Sequence, residues 1–211
     1  MAEPLKAYEE LIRRAKEIAL LDSCASVLGW DQRTYMPPKG SGHRADQLAL
    51  LAGMVHQKAT APEIGDLLAQ VEQSDLVRGA GSPAAVNVRE IRRTYTRATK
   101  LPPALVEELA RTCSLARDVR VEARKKSDFA LFRPWLHKVV GLKRQEAAAV
   151  GYAEVPYDAL LDDFEPGETT AHLTRLFADL REPLVRLVLA IATTGKRPDA
   201  SIFDRAYPVE R

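Results

Sequence analysis

Pro4-Leu5-Lys6-Ala7-Tyr8-Glu9-Glu10-Leu11-Ile12-Arg13-Arg14-Ala15-Lys16-Glu17-Ile18-Ala19 decides the fold class. Leu5, Tyr8, Leu11, Ile12, Ala15, Ile18 and Ala19 recur at three- and four-residue steps, which stacks them on one face of a helix. Glu9, Arg13, Arg14 and Lys16 fall outside that face. Pro4 suits a first helical turn, where its missing N–H costs nothing.

The same period continues outward. The first helix must end before Pro37-Pro38, because a residue preceding proline is pushed out of the helical region, and Gly40 and Gly42 extend the break. Ser41 can cap a second helix that runs to about Ala59, with Leu48, Leu51, Ala52 and Val55 on its apolar face. Pro62 starts a short third helix over 62–74, and Gly79, Gly81 and Pro83 interrupt the chain after it. A fourth helix is expected over 84–98, then a break at Leu101-Pro102-Pro103. A fifth follows over 104–125, with Leu105, Leu109, Cys113, Ala116 and Val119 inward and Glu107 and Glu108 favouring the dipole of its first turn. Asp128 can cap a sixth helix carrying Phe129, Phe132, Leu136, Val139 and Val140, ended by Gly151. Residues 152–167 read as an acidic connection. Thr169 or Thr170 can cap a seventh helix through Leu173, Leu176, Phe177, Leu180, Leu184, Leu187 and Ile191, kinked or briefly broken at Pro183. No stretch alternates with period two for long enough to make a strand. The expectation is an all-α fold of long helices with Pro/Gly breaks, one helical domain over 1–211.

Composition narrows the function. Thirty-one Lys and Arg against 29 Asp and Glu give a net charge of +2, so no whole-chain field selects nucleic acid or an anionic membrane. The apolar run at 184–192 is short and contains Arg186, so no membrane span is expected. The N-terminus has no basic stretch followed by an apolar core, and a cytoplasmic location follows. Cys24 and Cys113 sit in apolar helical patterns and read as buried, reduced thiols.

The residues that could carry chemistry do not assemble into a recognisable motif. A helical zinc site needs two imidazoles one turn apart. Four residues after His43, His56, His137 and His172 come Gln47, Thr60, Gly141 and Leu176. Asp158, Asp162, Asp163, Glu165 and Glu168 lack the alternating register of a calcium loop and read as capping and solvation around a turn. Arg89, Arg93 and Arg97, with Arg92 and Lys100 beside them, form a stripe suited to internal ion pairs or to an anionic ligand. Leu28-Gly29-Trp30-Asp31-Gln32 suggests a buried indole with Asp31 and Gln32 tying up free helix-end groups, or else a ligand platform. No catalytic, cofactor-binding or metal-ligating residue can be assigned in this chain.

The strings themselves say more. Val27-Leu28-Gly29-Trp30-Asp31-Gln32-Arg33-Thr34-Tyr35-Met36-Pro37-Pro38 resembles a W-D-Q-x-T-Y-M-P segment of the carboxypeptidase Taq family. Arg44-Ala45-Asp46-Gln47-Leu48-Ala49-Leu50-Leu51 continues the resemblance. Arg97-Ala98-Thr99-Lys100-Leu101-Pro102, then Asp128-Phe129 with Phe132-Arg133-Pro134, then Tyr157-Asp158-Ala159-Leu160-Leu161-Asp162 with Glu165-Pro166-Gly167 are similar to further family segments in the same order. The resemblance implies a helical zinc enzyme that removes residues from the free C-terminus of peptides, has a deep substrate groove and forms homodimers. It also implies that H-E-x-x-H and a later glutamate bind the metal, in segments beyond those matched here. Zinc is therefore expected in the full-length protein and none in this chain. The peptide substrate likewise belongs to the full-length protein. Tyr207-Pro208-Val209-Glu210-Arg211 reads as the entry to a further helix, so a truncated product, a split gene or a cut fragment is expected. Two readings remain: the non-catalytic, groove-walling N-terminal part of a metallocarboxypeptidase, or a free-standing helical interaction module. The expected partner is a missing C-terminal portion or a second copy of the chain.

Overall fold

The computed structural model describes residues 3–206. The reading of 207–211 as a helix entry lies outside them. The described residues contain eight α-helices, two short 3₁₀ turns and no strand. They divide into one unit that runs to Phe164 and a second that begins at Glu165.

In the first unit, α1 (Glu3–Thr34) ends three residues before Pro37, as the proline rule requires. Its Ala7 and Leu11 meet Ile64, Leu68 and Val71 of α3 (Pro62–Glu72) and Val88 of α4 (Pro83–Ala98). Tyr8, Ile18, Ile91 and Tyr95 close around this cluster. The α3–α4 approach depends on Gly65, where a Cβ would stand 2.7 Å from the Tyr95 hydroxyl. A second layer forms where α2 (Ser41–Ala59) lies along α5 (Pro103–Lys125). Ala45 and Ala49 on one side, and Leu105, Thr112 and Ala116 on the other, are buried. Small residues at such a seam let two backbones come close. Next, α6 (Phe129–Val150) packs on α5, and α7 (Pro156–Leu161) packs on α6.

Caps explain most of the boundaries. The Asp128 carboxylate accepts from the Ala130 amide at 2.9 Å, and Ser82 caps α4 by accepting from Ala85 at 3.2 Å. The α6 helix ends on Gly151 at φ +85°, a conformation open chiefly to glycine. The α5 helix ends differently. Ser127 takes φ +51°, its amide donates to the Arg124 carbonyl, and the Asp128 amide donates to the Ala123 carbonyl. That pairing is a Schellman motif with serine where glycine is usual.

In the second unit, α8 (Thr170–Thr193) starts from a Thr169 cap, whose hydroxyl accepts from the His172 amide at 3.2 Å. A 3₁₀ turn follows at Ser201–Asp204.

Several expectations are corrected. Ser41 does not cap α2; it is the first helical residue, and Gly40 precedes it with no side-chain cap. Residues 152–167 are not a plain connection, because Pro156 opens α7 within them. Pro183 does not break α8; the helix runs through it. Glu107 and Glu108 do not serve a first turn: the helix begins at Pro103, and the Glu108 carboxylate reaches Lys138 on α6, which holds its pKa below the usual carboxylate value. The α6 stripe Phe129, Leu136 and Val140 is exposed, since α6 turns Leu142, Glu146 and Ala147 inward instead. Cys24 and Cys113 are exposed rather than buried.

Candidate functional site

Trp30, Asp31 and Gln32 stand in the last turns of α1, where each step rotates the side chain by about 100°. Trp30 therefore points outward, 52% exposed, edge-to-face with Tyr35 at a centroid distance of 5.6 Å. The expectation of a buried indole is overturned. Asp31 points toward α2, where Arg44 holds it at 2.6 Å. Arg44 also donates to the Leu28 carbonyl and, at 3.0 Å, to Gln47. Gln32 turns toward α5 and is buried. Its amide donates at 3.1 Å both to the Ser114 carbonyl and to Asp118, and its carbonyl accepts from the Ser114 hydroxyl at 3.2 Å. Asp31 and Gln32 do not tie up the end of their own helix. They bolt α1 to α2 and to α5.

The arginine stripe of α4 resolves into internal pairs. Arg92 makes a bidentate contact with Glu72, both arms at 2.8 Å, and this raises its already high pKa. Arg93 donates to the Asp162 carbonyl at 3.1 Å. Arg97 is the hub. It donates to the Ala159 carbonyl at 2.7 Å, clasps Asp163 at 2.7 and 2.8 Å, and reaches buried Glu146 at 3.2 Å. Lys143 holds the other oxygen of Glu146 at 2.6 Å. Lys100 donates to the Val150 carbonyl at 2.8 Å. Two of the strings quoted from the sequence, 97–102 and 157–162, are thereby joined by hydrogen bonds in space. Asp162 and Asp163 are partners of arginines as well as turn residues.

The histidines lie on three elements, α2, α6 and α8. His56 is buried on α2, and His43 and His137 are exposed. His172, in the second unit, contacts Glu168 one turn away. Among the described residues no group of three or more His, Cys, Asp or Glu is placed to hold a metal ion. A zinc ion does not fit the side chains of the described residues. A largely apolar groove of about 450 Å³ lies between α1, α2, α4 and α5, lined by Leu48, Val55 and Val106 with His56 and Cys113. Although Cys113 is exposed, the groove wall strips part of the water from its sulfur, and this desolvation pushes the thiol up, so it is no thiolate near neutral pH. Among the described residues no helix is long and apolar enough to cross a membrane.

This geometry defines a class: an all-helical platform with well-satisfied internal polar nodes and, among the described residues, no cluster that could hold a metal ion. Its family follows from comparison with known proteins. The model of the carboxypeptidase Taq (M32) metallopeptidases matches residues 10–211, and the chain belongs to that family. Thermostable carboxypeptidase 1 of Thermus thermophilus is 44% identical over 98% of this chain and 42% of its own length. Among solved structures, one described as BsuCP is similar with a TM-score of 0.83 and 31% identity, over 97% of this chain and 41% of that one. Pyrococcus furiosus carboxypeptidase is similar with a TM-score of 0.73 and 31% identity, over 94% and 39%. The chain thus corresponds to the N-terminal portion of these enzymes and spans about two fifths of their length.

Proposed function

We propose that residues 1–211 act as one N-terminal, groove-walling portion of a zinc carboxypeptidase that releases C-terminal residues from peptides. The zinc ligands and the general base then lie outside these 211 residues. The observation that carries this reading is the combination of a match running through 10–211 with a described set of side chains that offers no metal cluster. The apolar groove between α1, α2, α4 and α5 is the surface best suited to face a peptide. A cytoplasmic location and association into homo-oligomers are part of the same proposal.

Metal analysis of the purified chain tests it. The expected zinc content is far below one per chain. Supplying in trans the part of the Thermus thermophilus relative beyond the matched region is expected to restore zinc binding to the mixture and hold the two pieces together on a sizing column. Stoichiometric zinc in the isolated chain would overturn the proposal. Failure of the pieces to associate would favour a free-standing interaction module.

A further inference from the structure

The arginines of α4 and those near the end of α5 differ in their partners. Arg89, Arg92, Arg93 and Arg97 on α4 each hold a carboxylate. Arg120 and Arg124, one turn apart on α5, make no ion pair among the described residues. The nearby acids are engaged elsewhere: Asp118 receives Gln32, Glu122 takes Lys126, and Asp128 caps α6. Two exposed guanidiniums are therefore left on one face of α5 with their donor forks free.

They are not simply a solvated stripe, because apolar surface adjoins them. Where α5 turns into α6, a cleft of about 540 Å³ is lined by Arg120, Arg124, Val121, Asp128, Phe129 and Phe132. Phe129 is 60% exposed and stands edge-to-face on Phe132 at 6.4 Å. Exposed aromatic side chains beside free guanidiniums are the composition of recognition surfaces, in which the ring supplies area and the fork supplies direction.

We propose that this α5–α6 corner binds a peptide segment in which a carboxylate side chain stands next to an apolar or aromatic one. Arg120 and Arg124 take the carboxylate, and the Phe129–Phe132 shelf takes the neighbouring side chain. Charge complementarity selects an acidic partner. The cleft has room for one or two side chains rather than for a run of nucleotides, and the Asp128 carboxylate that lines it is turned to the Ala130 amide, so a short peptide segment is the occupant that fits.

Fluorescence anisotropy at low salt tests it, using the 211-residue chain and a labelled acetyl-Glu-Phe-Glu-Phe-Glu-amide. The glutamine version of the peptide is the control. The acidic peptide is expected to bind at least about tenfold more tightly than the glutamine peptide, as charge-assisted bidentate contacts do. Arg120→Gln with Arg124→Gln should abolish that preference, Arg120→Lys with Arg124→Lys should keep part of it, and Phe129→Ala should weaken both peptides alike. Circular dichroism checks that the variants retain their helix content. No binding, equal binding of the two peptides, or an unchanged preference in the Gln double variant would overturn the proposal. Tighter binding of a single-stranded oligonucleotide or of phosphatidylserine vesicles than of the acidic peptide would overturn the peptide as occupant.

Discussion

Trp30 and Leu68 show how little residue type alone says about stability. Trp30 is half exposed, whereas Leu68 is fully buried between α1, α3 and α4. Trp30→Ala is therefore expected to cost less than about 1 kcal/mol, as surface changes do. Leu68→Ala should cost about 2–5 kcal/mol, the range for a buried leucine whose cavity cannot close. Urea denaturation of the two variants measures both. Arg97→Met should cost about 3 kcal/mol, because it leaves Glu146 buried with Lys143 alone. Ser127→Gly should run the other way and stabilise by up to about 1 kcal/mol, since serine holds a left-handed conformation there that glycine adopts freely. What the sequence showed at this scale was chemistry without direction. The Trp30-Asp31-Gln32 string stood out, but helical rotation decided that the indole goes to solvent while the two polar side chains go to α2 and α5. Arg44 and Ser114, their partners, lie 13 and 82 residues away and left no local signal.

Helices were legible because the 3.6-residue period and the Pro/Gly breaks are local. The α3, α4 and α5 boundaries fall within a residue or two of the sequence reading, and Asp128, Gly151 and Thr169 do what their types suggest. Faces were less legible. Periodicity finds an apolar stripe but not its partner: on α6, which packs on α5 and α7, Phe129 and Leu136 of the stripe are exposed while Leu142 and Ala147 are buried. At the scale of one element, α1 also carries an acid-sensitive node. Arg13 and Arg14 both hydrogen-bond Glu10 and pull its pKa from 4.5 to about 2. A carboxyl lowered on folding contributes stability above its unfolded pKa, and that contribution is lost as pH falls through the folded value. Melting temperature should therefore decline between about pH 4.5 and pH 2, more weakly at high salt because the pair is exposed. Glu10→Gln should flatten that decline; an unchanged slope would remove Glu10 from the account.

For the molecule as a whole, α8 is the odd element. None of its residues is buried, and Leu184, Leu187, Val188 and Ile191 are each about half exposed. A helix apolar on most sides belongs inside an assembly. Light scattering across a concentration series is expected to show self-association, which Leu187→Glu together with Ile191→Glu should reduce; a clean monomer at high concentration would contradict it. The family was legible in five short strings in order, and the match over 10–211 bears it out. The reaction centre was not legible, since no paired-histidine motif occurs at any of the four histidines. The most direct measurement is release of the C-terminal residue from a blocked dipeptide by the purified 211-residue chain, with and without added zinc. The account predicts no turnover above buffer in either condition. Metal-dependent turnover that co-purifies with the chain would contradict it.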